Sequence, residues 1–479
     1  MATGVNGWRC LLLASGWSVL FCGLSVRVNA AKRETSPNIL VLVADQWRAQ
    51  AFGIEGDPNA RTPHFDRLGG ESLRLVNAVS ALPVCSPTRA SLLTGQRPLR
   101  HGVFINDVPL ATNAVTIAKV LAAQGYDTAY IGKWHVDGRG RSAYIPPERR
   151  QGFQYWKVQE CTHDYTNSGY YSDSPQQLRW AGYDAIAQTR DACDYLRARD
   201  AGAKPFLLFL AWGPPHDPYL TAPETYRQRF RPADMVVRPN VPDSLRGEVQ
   251  KILAGYYAHA NALDDCLAEL RRTLRETRLD ENTILVFTAD HGDMLGSHGL
   301  FKKQKPYDES VRVPLWFHWP KGLRRSGALP APMNTEDLMP TLLGLTGLTI
   351  PGSVQGLDYS RYLRGGLNPG NNEALILCVS PFGEWERRVG GKEFRGLRTP
   401  THTYVRDLNG PWLLFDNRSD PYQTNNLVAS PECRFLLNQL DQRLLRKLKR
   451  DGDHFEPGAV YLDRWHYRVN AFGTMPYTP

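Results

Sequence analysis

Short apolar runs alternate with helix-like segments along most of the chain, and this alternation is the strongest constraint on its fold. Runs of strand length occupy residues 38–45, 127–132, 205–212, 282–290 and 313–319. Amphipathic segments lie between them, such as residues 115–125, which end in Gly125, and a long segment from about Glu248 to Arg275. Such alternation is typical of an α/β fold, and it predicts a largely parallel central sheet with helices on both faces.

The pattern changes after about residue 370. Four short strand-like pieces, ALILCVS, RGLRT, TYVRDL and PWLLFD, follow one another and precede one helical segment at about 431–450. We therefore predict a main domain over residues 31–370 and a small C-terminal α+β subdomain with an antiparallel sheet over residues 371–479.

The first thirty residues have the organisation of a signal peptide. Arg9 precedes an apolar run of about sixteen residues, and the small-residue pattern Val28-Asn29-Ala30 follows it. The run is too short for a comfortable transmembrane helix, and no later segment reaches spanning length. The sequence thus predicts an exported protein, periplasmic or secreted, with no stable membrane span.

Charge and cysteine content narrow the class of protein further. Removal of residues 1–30 would lower the formal net charge from +9 to +7 and the number of cysteines from eight to six. Six cysteines in a chain of this length are too sparse for a disulfide scaffold, and at most two disulfides form if one thiol is reserved for chemistry. A basic chain suits a polyanionic partner, although a generally basic surface explains the charge equally well. We expect no nucleic-acid partner.

Polar residues capable of catalysis or metal binding follow several predicted strands. An aspartate that ends a strand is usually a helix cap, and a single loop histidine is usually solvated. Residues of these types at many strand ends together instead favour an active site, because parallel strands present their carboxyl ends at one edge of the sheet. The residues concerned are Asp45, Gln46, Lys133, His135, His216, Asp290, His291 and Lys303.

The segment VCSPTRASLLTG, residues 84–95, carries the most specific motif. Cys85, Pro87 and Arg89 match a C-x-P-x-R signature, and Leu93-Thr94-Gly95 match its tail. On this motif, and on GKWH, TADHGD and later segments, the chain resembles the type I sulfatases of the alkaline-phosphatase-like superfamily over nearly its whole length. The resemblance implies that a formylglycine-generating maturation enzyme oxidises Cys85 to formylglycine.

The resemblance also implies a metal site. Its ligands would be Asp45, Gln46, Asp290, His291 and the modified Cys85. Carboxylate and amide oxygens suit a hard cation, so we expect Ca²⁺ first and Mg²⁺ or Mn²⁺ next. The commonest family pattern has two aspartates in the first pair and Asp-Asn in the second, so Gln46 and His291 lower the negative charge of the site.

Catalytic roles follow from the same resemblance. A hydrated aldehyde at position 85 would attack sulfur, and cationic groups would offset the charge on the sulfate oxygens. Arg89 would orient the nucleophile, and Lys133 and Lys303 would bind the sulfate oxygens. His135 would take a proton from the hemiacetal during sulfate release, and His216 would bind or protonate the leaving oxygen.

The substrate is the least constrained part of this interpretation. A sulfated carbohydrate or an aryl sulfate fits an exported basic sulfatase. Residues 137–150 and 160–171 are rich in hydrogen-bonding groups, and we expect leaving-group contacts from Arg139, Arg141, His163 and Tyr165, although a solvated loop explains these segments equally well. Two other functions stay open: a phosphonate or phosphate diester hydrolase of the same superfamily, and a non-catalytic binder of sulfated glycans in which Cys85 is unmodified.

Overall fold

An eight-stranded sheet forms the centre of the fold. The computed structural model describes residues 36–199 and 203–476, so the predicted signal peptide lies outside the described residues. The strands are β1 Asn38–Asp45, β2 Leu73–Leu75, β3 Ala78–Val79, β4 Asp127–Lys133, β5 Tyr155–Gln159, β6 Gly169–Tyr170, β7 Leu178–Arg179, β8 Phe206–Pro215, β9 Thr283–Ala289, β10 Leu315–His318, β11 Gly327–Leu329, β12 Met333–Asn334, β13 Ala374–Cys378, β14 Phe394–Arg398, β15 His402–Asp407 and β16 Gly410–Asp416.

The central sheet has the strand order β11-β2-β10-β9-β1-β8-β4-β5. Five neighbouring strands, β9, β1, β8, β4 and β5, run parallel to one another, whereas β10 is antiparallel to both of its neighbours. Strand β1 lies in the middle, with Val41 opposite Phe209 on one side and Val286 on the other. Its residues are almost entirely buried, as expected for a strand covered on both faces. The predicted, largely parallel sheet is confirmed.

Helices connect and cover these strands. They are α1 Pro63–Glu71, α2 Cys85–Thr94, α3 Pro98–His101, α4 Ile117–Ala123, α5 Asp184–Arg197, α6 Glu224–Arg227, α7 Arg246–Glu276, α8 Asp308–Val311, α9 Leu338–Thr346, α10 Ser360–Leu363, α11 Arg434–Asp451 and α12 Gly458–Arg464. Helix α4 shows why a predicted helix forms where it does. The Thr116 hydroxyl accepts a hydrogen bond from the Lys119 amide at its start, and Gly125 follows its end with φ of 85°.

The C-terminal region contains the predicted antiparallel sheet. Strands β13, β14, β15 and β16 pair in chain order, each antiparallel to the next, and α11 packs against β14, β15 and β16. Residues from Ser36 onward form one compact unit, so the boundary at residue 370 stays a prediction.

The structure also bears on membrane spans and on cysteine pairing, within the described residues. Within 36–199 and 203–476, no helix is both long enough and apolar enough to cross a membrane. The six cysteines of this part of the chain are all free thiols, five of them buried.

Candidate active site

The carboxyl ends of four adjacent parallel strands gather the predicted residues at one edge of the sheet. Asp45 is the last residue of β1, and Lys133 is the last residue of β4. His216 directly follows β8, and Asp290 directly follows β9. Because β9, β1, β8 and β4 are neighbours, residues far apart in sequence meet there.

Cys85 is the first residue of helix α2 and lies at the centre of this group. Its side chain is buried, and its Sγ atom lies 3.3 Å from His291 Nε2 and 3.3 Å from Lys303 Nζ. Lys133 Nζ and Asp45 Oδ1 each lie 3.7 Å from the same sulfur. The amino end of a helix carries partial positive charge, so this position favours an anionic group at residue 85 or beside it.

Arg89 lies one helical turn after Cys85 and joins three strand ends. Its Nη2 donates to Asp45 Oδ2 at 3.1 Å and to Asp290 Oδ2 at 2.9 Å, and its Nε also donates to Asp290 Oδ2 at 3.1 Å. Its Nη1 donates to the backbone carbonyl of Lys133 at 2.7 Å. The buried guanidinium therefore fixes both carboxylates relative to α2.

Four side chains offer ligand atoms to a metal ion at this point. Atoms of Asp45, Cys85, Asp290 and His291 all lie within 4.8 Å of one another, and all four residues are buried. His291 Nδ1 is 2.9 Å from the Gly292 carbonyl, which makes Nδ1 the donor and leaves the Nε2 lone pair facing the cluster. Two carboxylates, an imidazole and a sulfur atom are ligand types that a divalent cation accepts.

Gln46 adjoins this cluster through a strained backbone, with φ of 65°. Its side-chain Nε2 donates to Asp293 Oδ2 at 2.7 Å, while its Oε1 lies 3.4 Å from Lys303 Nζ. The buried Asp293 carboxylate also accepts from the Tyr219 hydroxyl at 2.8 Å. Asp293 thus orients Gln46, a role that sequence reasoning missed although Asp293 belongs to the same TADHGD motif.

His216 and Lys303 form a pair beside Cys85. Lys303 Nζ lies 2.7 Å from His216 Nε2, and His216 Nδ1 lies 2.8 Å from the Asp217 carbonyl. Because the carbonyl can only accept, the proton sits on Nδ1 and Nε2 accepts from the lysine. The His163 ring stacks on His216 with centroids 4.5 Å apart and planes 11° apart.

His135 approaches Cys85 from another side. Its Nε2 is 2.9 Å from Asp107 Oδ1, and the side chain also faces the sulfurs of Cys85 and Cys161. Cys161 and Asp107 were not among the predicted site residues. The sequence gives no motif for either of them, because each reaches the site from a loop.

Comparison with known proteins identifies the family. Residues 37–348 match the family described as Sulfatase, and residues 296–450 match the family described as N-sulphoglucosamine sulphohydrolase, C-terminal. The chain is 41% identical to the ulvan-active sulfatase of Formosa agariphila, over 97% of this chain and 91% of that protein. This chain belongs to the sulfatase family.

Other relatives agree with this assignment. The endo-4-O-sulfatase of Bacteroides thetaiotaomicron is 28% identical, over 93% of this chain and 98% of that protein. The crystal structure of yidJ from Bacteroides fragilis superposes with a TM-score of 0.81 and 28% identity, and the match covers 91% of this chain and 99% of that one. The fold class predicted from the sequence and the assignment as a sulfatase, an enzyme that hydrolyses sulfuric esters, are confirmed.

Both lysines of the sulfatase site keep their charge despite burial. Burial by itself lowers the pKa of Lys133, but Asp45 more than offsets this effect, so the pKa is raised above its usual range. The pKa of Lys303 is raised in the same way, because the charges of Cys85 and Glu384 outweigh burial. Each lysine is therefore a cation at neutral pH and can bind a sulfate oxygen.

The four residues expected to contact the leaving group differ in how close they lie to the residues around Cys85. His163 adjoins the site through its stacking on His216. Arg141 donates to both carboxylate oxygens of Asp107, at 3.2 and 3.0 Å. Arg139 is bound to Asp137 and to the Tyr144 carbonyl, each at 2.7 Å, and the structure shows no bond from it to the site residues described above.

Tyr165 packs against the strand that leads to His216. Its side chain is only 1% exposed and lies against Gly213. Its hydroxyl already donates to the backbone carbonyls of Gly213 and Asp217, at 3.4 and 3.2 Å. The ring is therefore part of the packed support of the loop that carries His216, and a contact with the leaving group stays a prediction.

Proposed function

We propose that this sulfatase removes sulfate from a sulfated carbohydrate by means of a formylglycine derived from Cys85 and a divalent cation. The observation that carries the proposal is the surroundings of Cys85 at the start of α2. Its sulfur is one of the four ligand atoms of a possible metal cluster, and the Lys133 and Lys303 ammonium groups lie 3.7 and 3.3 Å from the same sulfur. An anionic ester and a nucleophile can meet only where such charges are arranged in advance.

The cation would be held by Asp45, Asp290, His291 and residue 85, with Gln46 Oε1 as a further ligand. Oxygen donors and two carboxylates favour Ca²⁺, with Mg²⁺ or Mn²⁺ next. When bound, the cation would make the hydroxyl of a hydrated formylglycine more acidic. Formylglycine itself supplies that hydroxyl, and it allows sulfate to depart as the aldehyde re-forms.

Side chains of the site carry out the remaining steps. Lys133 and Lys303 bind the sulfate oxygens, which keeps sulfur in line with residue 85 and offsets the charge there. A hydroxyl oxygen of the hydrated residue 85 loses its proton and bonds to sulfur as the bond between sulfur and the alcohol oxygen breaks, and the pair of His216 and Lys303 supplies the proton to that alcohol oxygen. His135 then takes the proton from the second hydroxyl at residue 85. The carbon–oxygen bond to the sulfate breaks, the aldehyde re-forms, and inorganic sulfate leaves.

The substrate class rests on the relatives. The proteins of 41% and 28% identity are described as an ulvan-active sulfatase and an endo-4-O-sulfatase, so a sulfated polysaccharide or its oligosaccharides are the substrate we favour. We also propose that residues 1–30 export the protein to the periplasm or the medium, and that a formylglycine-generating enzyme of the host matures Cys85.

The test compares the wild-type protein with Cys85→Ala and Cys85→Ser on nitrophenyl sulfate and on a panel of defined sulfated oligosaccharides. We expect both variants to fold and to lose about 10³-fold or more in kcat, because the nucleophile disappears while little packing changes. Peptide mass spectrometry across residue 85 should show formylglycine in the wild type, and metal analysis should show one divalent ion. Turnover within about tenfold of wild type in Cys85→Ala would contradict the mechanism.

A matched phosphodiester with the same nitrophenyl leaving group separates this proposal from the phosphonate or phosphate diester hydrolase. We expect kcat/KM to be much larger for the sulfate ester. The opposite preference would assign the site to phosphodiesters.

A further inference from the structure

His135 and Asp107 are two strained residues in direct contact. Their φ angles are 59° and 66°, in the left-handed region that residues other than glycine seldom adopt. Their side chains are 2% and 8% exposed. Strain of this kind persists only where the surrounding structure imposes it, and it clusters at functional sites.

The hydrogen bonds of Asp107 fix which nitrogen of His135 carries a proton. Asp107 Oδ1 lies 2.9 Å from His135 Nε2, and Arg141 binds both oxygens of the carboxylate. Burial by itself raises the pKa of Asp107, but His135 and Arg141 more than offset it and lower the pKa, so Asp107 is a carboxylate. A carboxylate only accepts hydrogen bonds, so Nε2 must be the donor. Nδ1 then keeps its lone pair; it is buried and has no hydrogen-bond partner among the described residues, and the imidazole interacts with Cys85 and Cys161.

The loop that carries Asp107 is also tied to the nucleophile helix. The Ser86 amide donates to Asn106 Oδ1 at 3.0 Å, and the Asp107 amide donates to the Ser86 hydroxyl at 3.4 Å. Ser86 is the neighbour of Cys85 in the first turn of α2. Asp107 is therefore fixed relative to both the nucleophile and the imidazole.

We propose that Asp107 is the positioning residue for His135: it holds the imidazole in the Nε2–H tautomer and turns Nδ1 toward the hydroxyl of residue 85. The assignment rests on the proposed function for the identity of that hydroxyl. Arg141, in turn, donates to both oxygens of the Asp107 carboxylate and holds it in place. A histidine oriented by a carboxylate in this way is a better proton acceptor than a free one.

The substitution Asp107→Asn tests this arrangement with little change in volume. An asparagine side chain has one acceptor and one donor, whereas His135 Nε2–H and Arg141 both require acceptors. If its NH₂ faces His135, then Nε2 must lose its proton and the tautomer reverses. If its NH₂ faces Arg141, two donors meet, and the pair of hydrogen bonds from Arg141 that holds side chain 107 in place is lost.

The first measurement does not depend on turnover. Full-length Cys85→Ala protein labelled with ¹⁵N-histidine is examined by NMR at a pH where the imidazole is neutral, and the His135 signals are assigned through their loss in His135→Gln. We expect the Nε2–H tautomer in the Cys85→Ala protein, and its loss when Asp107→Asn is added. The same tautomer in both proteins would overturn the proposal.

The second measurement uses matured protein with equal formylglycine content. We expect Asp107→Asn to lower kcat about 10²- to 10⁴-fold while KM changes little, because proton removal is impaired and not sulfate binding. Asp107→Glu should recover part of this loss. The matched control is Asp137→Asn: Asp137 is also buried and also binds arginines, Arg139 and Arg149, but it lacks a bond to His135, and its kcat should stay near wild type.

The outcomes separate this inference from the proposed function. If Cys85→Ala is inactive but Asp107→Asn keeps wild-type kcat, or if Asp137→Asn loses as much as Asp107→Asn, the positioning role is wrong and the sulfatase mechanism stands. If Cys85→Ala stays active, the proposed function fails, whereas the NMR result still decides the tautomer. If Asp107→Asn does not fold, Asp107→Ala is assayed with added formate: a formate-dependent return of kcat supports the proposal, and its absence overturns it.

Discussion

Around Cys85, three buried cations, Arg89, Lys133 and Lys303, face two buried carboxylates, Asp45 and Asp290. The carboxylates are already bound to cations: Arg89 contacts both, and Lys133 Nζ lies 2.5 Å from Asp45 Oδ2. Burial would be expensive for any of these charges alone, so each depends on its partners. Lys303 differs, because its described hydrogen bonds go to Cys85, Gln46 and His216 and not to a carboxylate. Its charge is therefore the one most available to a sulfate oxygen.

Substitution of His216 should separate proton transfer from binding. A sugar alkoxide needs a proton as it leaves, whereas nitrophenolate leaves readily without one. We therefore expect His216→Ala to lower kcat about 10²- to 10⁴-fold on a carbohydrate sulfate and far less on nitrophenyl sulfate. Because Lys303 lies 2.7 Å from His216 Nε2 and shares the proton, the double variant with Lys303→Ala is measured as well.

The stacking partner of His216 provides the control. His163→Ala removes the ring that lies 4.5 Å away but leaves the pair of His216 and Lys303 in place. Its effect on kcat should therefore be similar on both substrates, and the loss of a sugar contact should appear in KM. Equal proportional losses on the two substrates, in both the single and the double variant, would show that His216 is not the acid.

At the scale of elements, sequence periodicity was informative for buried strands and long helices. The run at 38–45 coincides with β1, and the long helix predicted from Glu248 to Arg275 is α7, Arg246–Glu276. The three-residue strands β2 and β11 are too short to show any period, and they were not predicted. Side chains that follow strands could be placed at one sheet edge from the sequence alone.

Contacts made by loops could not be placed in this way. Gln46 and Asp293 are 247 residues apart in sequence, and their contact depends on where the loop after β9 turns back. Asp107 and His135 likewise meet because both have left-handed backbone conformations, which the residue types alone do not predict. The sequence therefore brought the strand-end side chains together, whereas the loop residues that contact and orient them required the structure.

The segment that carries Lys303 is anchored to the C-terminal sheet through α8 and β14. The Arg398 guanidinium donates to both oxygens of Asp308, at 2.9 and 3.1 Å, and both side chains are buried. Gln423 Oε1 accepts from the Asp308 amide at 2.9 Å. Removal of one member of such a pair leaves an uncompensated charge inside the protein. The C-terminal sheet thus supports the segment that carries Lys303 from outside the site.

We expect Arg398→Ala to lower the free energy of unfolding by about 3–5 kcal/mol and to reduce kcat as well, since Lys303 loses support. Chemical denaturation and steady-state kinetics measure the two effects. The control is Arg231→Ala, which breaks an exposed ion pair with Asp234 and should leave the free energy of unfolding close to that of wild type. A variant as stable and active as wild type would contradict the anchoring role.

The pH dependence of the same pair has a definite sign. Burial alone raises the pKa of Asp308, but Arg398 and Arg312 outweigh it and lower the pKa below its usual range. A depressed carboxyl pKa stabilises the fold above the pKa of the unfolded chain, about 3.9, and this contribution is lost as the pH falls toward the folded value. The difference in stability between wild type and Arg398→Ala should therefore shrink below about pH 4.

At the scale of the whole molecule, a formal net charge of +9, or +7 without residues 1–30, accompanies an enzyme family whose substrates are anions. Net charge does not determine the fold, but it does affect how fast an anion meets the site. A polymer with many sulfates interacts with a larger part of the protein's electrostatic field than a single sulfated sugar does. Ionic strength should therefore distinguish a polysaccharide from a small substrate without any substitution.

We expect kcat/KM on a sulfated polysaccharide to fall more steeply with sodium chloride than kcat/KM on the corresponding sulfated monosaccharide. Between about 0.1 M and 1 M salt the screening length shrinks from about 10 Å to about 3 Å, which removes long-range attraction but leaves contacts inside the buried site nearly unchanged. The loss should therefore be in KM for the polymer, with kcat preserved. The control for ion-specific effects repeats the series with sodium acetate, and sulfate salts are omitted because sulfate is the product. If both substrates lose kcat/KM in the same proportion, the attraction is confined to the site, and the basic surface has no part in capturing the polymer.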